Sequence, residues 1–149
     1  MKVILGGRSA NVLSRSSLAS MSKKHAPGFL RVVEDAKTRI REVDAEHVRA
    51  TAIAGQPYVL IDVREDREWN VDSCEGAVHL GKGVLERDAE AQFPDKRATL
   101  VLYCGGGFRS ALAADSLRAM GYEDARSLAG GIRRWRELGL PLDKRSSDR

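Results

Sequence analysis

Two aliphatic runs decide what this chain can fold into. Tyr58–Val63 and Thr99–Tyr103 are short, apolar and partly β-branched, and Pro57 breaks the chain just before the first. Runs that are apolar on both faces read as strands buried on both sides, as in parallel sheets. Helical patterns alternate with them. Phe29, Val32, Val33, Ala36 and Ile40 recur at spacings of three and four and predict a helix over 29–42. Asp44 is a suitable N-cap for a second helix that runs through Ala54 and stops at Gly55. Ala77–Leu80 and Ala125–Leu128 read as shorter strands. Val84–Gln92, Ser110–Met120 and Ile132–Leu138 read as helices, the second stopped by Gly121. This alternation predicts an α/β domain on a mostly parallel sheet. Arg64–Asn70 is left as a charged segment. The polar residues 143–149 are expected to fray.

The 149 residues suffice for one compact domain without a metal or disulfide staple. Charge divides the chain. Residues 1–28 hold Lys2, Arg8, Arg15, Lys23 and Lys24 and no acid. Without those five, the 25 Lys and Arg against 21 Asp and Glu become 20 against 21. The basic character therefore belongs to a flexible N-terminal extension, 1–28. The folded body is not read as a nucleic-acid-binding domain. No apolar run approaches the roughly 20 residues needed to cross a bilayer, so no membrane role is expected. The extension has the Arg- and Ser-rich, acid-free character of an organelle transit peptide, which would make the location mitochondrial. Equally, Met21 is a possible true start. The two cysteines, Cys74 and Cys104, make no disulfide framework and suit a reducing, cytoplasmic setting.

The sequence from Cys104 to Ser110 concentrates the chemistry. Cys104 ends a buried strand, at the sheet edge where ligands bind in α/β folds. Gly105, Gly106 and Gly107 let the backbone turn its N–H groups inward. The following helix offers unpaired amides and a positive dipole end. Such a nest holds anions, and its charge favours the thiolate, which is the nucleophile. Arg109 supplies a planar fork suited to an oxyanion. No Lys-Ser/Thr pair follows the glycines, which argues against a phosphate-cradling nucleotide loop.

Cys104-Gly105-Gly106-Gly107-Phe108-Arg109-Ser110 resembles the active-site loop of rhodanese domains. Three more segments agree: Asp62-Val63-Arg64 with Glu68-Trp69 beyond it, Gly76-Ala77 before a strand, and Leu128-Ala129-Gly130-Gly131 with Trp135 four residues on. The resemblance covers about residues 43–142. It implies a single rhodanese-like domain, a mostly parallel five-stranded sheet with helices on both faces. It also implies sulfur transfer through a Cys104 persulfide, with residues 105–110 binding substrate. Asp62 and Arg64 would form an ion pair below the loop. Expected partners are a small sulfur donor such as thiosulfate and a thiol or cyanide acceptor, or an acceptor protein in a relay. No cofactor and no metal are expected. Ser73 stands where the family usually has histidine. Related phosphatases and arsenate reductases carry one more residue between cysteine and arginine, which disfavours that chemistry. A non-catalytic binding module is the main alternative.

Cys74 reads as a small buried hydrophobe rather than a resolving thiol. His25, His47 and His79 have no metal-ligand spacing. Trp69 and Trp135 read as packing anchors. Arg133, Arg134 and Arg136 read as a solvated helix face, with a docking site for an anionic partner as the sharper alternative. The uncharged Gly105, Gly106 and Gly107 make the loop less basic than rhodanese loops that carry Arg and Lys, which predicts thiosulfate to be a poor donor.

Overall fold

The computed structural model describes residues 25–146. The expectations for residues 1–24 and 147–149 lie outside that range. The chain divides into two compact units, 1–32 and 33–149. In the first, His25 and Phe29 place their rings 5.2 Å apart at the start of helix α1, Pro27–Lys37.

Five parallel strands form the central sheet. They are β1 (Arg41–Val43), β2 (Val59–Asp62), β4 (Val78–His79), β5 (Leu100–Tyr103) and β6 (Ala125–Leu128), in the order β1-β6-β5-β2-β4. The crossovers carry helices α2 (Ala45–Ile53), α4 (Leu85–Gln92) and α5 (Phe108–Ala119), and α6 (Gly131–Glu137) follows the last strand. Asp44 caps α2, its carboxylate accepting the His47 N–H at 2.7 Å. The central strands β2 and β5 are buried along nearly their whole length, which accounts for their continuous apolar runs.

Alternation along β5 sorts the core into two layers. Leu100 and Leu102 face α4 and α5, among Leu85, Ala113, Ala114 and Leu117. Val101 and Tyr103 face α2 and α6, among Val48, Ile132 and Trp135. Helices therefore cover both faces. Because all five strands run the same way, the loops after β2, β5 and β6 gather at one edge.

Three local expectations are corrected. The helix predicted over 29–42 ends at Lys37, where a turn closes with Thr38 Oγ1 donating to the Asp35 carbonyl at 2.6 Å. Residues 41–43 are instead edge strand β1, paired with β6. Ile40 packs on the core from the turn, and so prolongs the helical spacing past the helix. The charged segment 64–70 contains a one-turn helix, α3 (Asp66–Trp69). The fraying expected of the polar tail is corrected for residues 143–146. Strand β7 (Leu142–Lys144) runs into this tail and pairs antiparallel with β3 (Asp72–Cys74). Both strands have three residues, too few to show a period.

Candidate active site

The sulfur of Cys104 lies at the base of the β5–α5 loop. The next residue in the alternation, it points to the α5 side of the sheet and is 1% exposed. It is hidden but not surrounded by hydrocarbon alone. The Gly107 N–H donates to Sγ at 3.2 Å and the Ser110 N–H at 3.3 Å. The Ser110 hydroxyl lies 3.5 Å from Sγ, and its oxygen is 2.8 Å from Ser127 Oγ on β6. Gly107 enters α5 at φ +100°, a left-handed conformation that aims its amide inward. The 12-residue helix behind adds its positive dipole end.

The other side of the loop is tied down. The Ile132 N–H donates to the Cys104 carbonyl at 2.9 Å, and the Arg133 N–H to the Gly105 carbonyl at 3.0 Å. The first turn of α6 thus draws the loop carbonyls outward, leaving amides on the sulfur side. This close approach requires Gly131. At φ +55°, a Cβ there would stand 2.5 Å from the Cys104 carbonyl oxygen.

Arg109 does not present an open fork. Its Nη1 and Nη2 donate to the Glu68 carboxylate at 2.8 and 3.2 Å. This pair raises Arg109 above its usual value and holds the Glu68 carboxyl down at about 2. Glu68 also accepts the Glu65 N–H at 3.1 Å, so α3 anchors the arginine that starts α5. Phe108 carries Lys37 Nζ 5.5 Å from its ring centre.

Below the loop lies a buried polar network. Asp62 is 0% and Arg64 4% exposed, joined by bonds of 2.8 to 3.1 Å. The Tyr103 hydroxyl donates to Asp62 at 2.7 Å and accepts the Cys74 N–H at 3.0 Å. Arg64 donates onward to the Asp72 carbonyl at 2.6 Å, and Arg136 donates to the Asp72 carboxylate at 2.7 Å. The network joins β2, β5, β3 and α6. Arg64 is held within it. Cys74 packs in the layer opposite Cys104, and burial pushes its thiol up to about 12. Ser73 is buried and accepts Arg145 Nη1 at 3.0 Å. Trp69 stacks on His79 at 4.9 Å, with the Arg145 guanidinium 3.9 Å from the Trp69 ring centre.

Among the described residues, no group of three His, Cys, Asp or Glu side chains could hold a metal, and no helix is long and apolar enough to cross a membrane. Sequence reasoning brought Cys104, the glycines and Arg109 to one loop. It passed over Ser127, which carried no signal beyond being polar inside a strand. It also missed that Glu68 reaches Arg109.

The family described as Rhodanese-like domain matches residues 45–138. The probable adenylyltransferase/sulfurtransferase MoeZ of Mycobacterium tuberculosis is 39% identical over 89 residues, covering 59% of this chain. This chain spans 22% of that relative's length. The polysulfide-sulfur transferase of Wolinella succinogenes superposes with a TM-score of 0.68 at 27% identity, over 86% of this chain and 96% of that one. The thiosulfate sulfurtransferase of Pseudomonas aeruginosa gives a TM-score of 0.68 at 25% identity, over 75% of this chain and 22% of that one.

Proposed function

Because the chain belongs to the rhodanese-like domain family, we propose that it is a sulfurtransferase that carries sulfane sulfur as a persulfide on Cys104. In the first step the Cys104 thiolate attacks the outer sulfur of thiosulfate. A new S–S bond forms to Cys104, the donor's S–S bond breaks, and its electron pair leaves on sulfite. In the second step an acceptor, cyanide or a thiolate, attacks the outer persulfide sulfur, and the Cys104 thiolate is released. Charge is conserved in both steps, and no cofactor takes part.

One observation carries the reading: two backbone amides, of Gly107 and Ser110, converge on the sulfur. Thiolate and persulfide are both anions, and preorganised N–H groups stabilise either without reorganising. Ser110 with Ser127 adds a hydroxyl pair that can turn toward the sulfur as its charge changes. A binding module would have no use for donors focused on a thiol. The role of Arg109 is to hold the loop through Glu68, with Gly105 and Gly106 forming the rim that substrate meets.

The test is thiocyanate formation from thiosulfate and cyanide. Wild type is expected to turn over, and Cys104→Ser to fall to the uncatalysed background. Equal rates in the two proteins would remove Cys104 from the mechanism.

A further inference from the structure

Helix α6 carries three arginines near the loop, and two are neutralised. Arg134 pairs with Glu46 at 3.3 Å and Glu137 at 3.4 Å, and Arg136 pairs with Asp72 at 2.7 Å. Arg133 is exposed, and no carboxylate among the described residues pairs with its guanidinium. Its backbone is nevertheless fixed, since its amide is held by the Gly105 carbonyl. From there the side chain lies along the loop. Its Nη2 and Nη1 stand 3.1 and 3.4 Å from where a Cβ on Gly106 would be.

The two rim glycines are therefore each covered by a guanidinium. Gly105 faces Arg109 Nη2, 3.2 Å from its would-be Cβ, and Gly106 faces Arg133. The first cation is matched by Glu68. The second keeps its full charge, one residue away from the amide of Gly107 that binds the sulfur. A run of three glycines, flanked by an arginine already paired with Glu68, thus receives an unpaired cation from a different element, in a place that only a missing side chain leaves open.

Building on the persulfide cycle proposed above, we infer that Arg133 binds the oxyanion end of the sulfur donor. The donor class that fits is a small sulfur oxyanion such as thiosulfate, its outer sulfur toward Cys104 and its oxygens on the Arg133 fork. Sulfite then leaves from the guanidinium that bound it. A planar guanidinium suits such oxygens better than an ammonium does.

Two measurements on the full chain test this, one independent of turnover. The first compares alkylation of Cys104 by iodoacetate, an anion, with iodoacetamide, its neutral analogue of similar size. Arg133→Gln is expected to lower the iodoacetate-to-iodoacetamide rate ratio about five- to ten-fold at low ionic strength, and less as salt is raised. Arg133→Lys should recover most of the ratio, and Arg134→Gln should leave it unchanged. The second is steady-state kinetics, in which Arg133→Gln should raise the KM for thiosulfate by a similar factor with little change in kcat. An unchanged ratio and an unchanged KM in Arg133→Gln would overturn the inference while leaving wild-type turnover, and so the persulfide reading, intact. A lowered ratio in a protein that makes no thiocyanate would keep the anion site and remove the persulfide cycle. A thiol inert to both reagents in every variant would overturn both.

Discussion

Cys104 and Cys74 are hidden from solvent to nearly the same degree, at 1% and 0% exposure, yet their surroundings differ in kind. Cys104 receives two backbone amides on its sulfur. Cys74 is packed among Leu60, Tyr103 and Trp135, and a thiol pushed up to about 12 stays protonated at neutral pH. A small electrophile at neutral pH is therefore expected to label Cys104 in the native protein and Cys74 only after unfolding. Peptide mapping decides this, and native labelling of Cys74 would contradict it. Glu68 yields a second prediction. Its carboxyl is depressed from 4.5 to about 2 by the Arg109 pair. A depressed carboxylate contributes stability that is complete above its unfolded value and is lost as pH falls through its folded one. Between about pH 4.5 and 2, wild type should lose denaturant resistance more steeply than Glu68→Gln. Parallel urea-midpoint curves would show that the pair does not contribute.

The turn between β6 and α6 governs the loop more directly than any contact within the loop itself. A methyl group at Gly131 would meet the carbonyl oxygens of Cys104 and Gly105 at 2.5 and 2.6 Å, both backbone atoms that cannot step aside. Gly139 also has a positive φ, +70°, but open space around it. Gly131→Ala is expected to cost more than about 3 kcal/mol, from strain plus displacement of the loop. Gly139→Ala should cost about 1 kcal/mol, from the backbone conformation alone. Chemical denaturation measures both, and equal losses would mean that the close approach is not what Gly131 serves. These elements also show what local sequence can convey. β5, α5 and the glycine run between them were legible because a continuous apolar run, the thiol and the turn residues are all local. Strands β1, β3 and β7 were not, because three residues show no period and their partners lie far along the chain. Arg109 was legible as a cation near the sulfur. Its engagement by Glu68, 41 positions away, was not. Arg133 was read as a solvated face because only the fold brings α6 over Gly106.

The active edge as a unit rests on the buried network beneath it. Asp62, Arg64, Tyr103, Asp72 and Arg136 join three strands and a helix through bonds of 2.6 to 3.1 Å. Removing one partner leaves the other charge buried. Asp62→Ala is therefore expected to destabilise the protein by about 3–5 kcal/mol, read as a lowered unfolding midpoint. A loss below about 1 kcal/mol would mean that water or rearrangement satisfies Arg64. Near the active edge Arg109, Arg134 and Arg136 are matched by acids, and Arg133 lies over the loop with no carboxylate partner among the described residues. The account as a whole depends on the sulfur of Cys104 accepting a second sulfur. Intact-protein and peptide mass spectrometry after brief exposure to thiosulfate tests that without relying on turnover. The predicted result is one added sulfur atom on the Cys104 peptide, removed by cyanide and absent in Cys104→Ser. An unmodified Cys104 peptide across sulfane sulfur donors, or added sulfur that persists in Cys104→Ser, would contradict it.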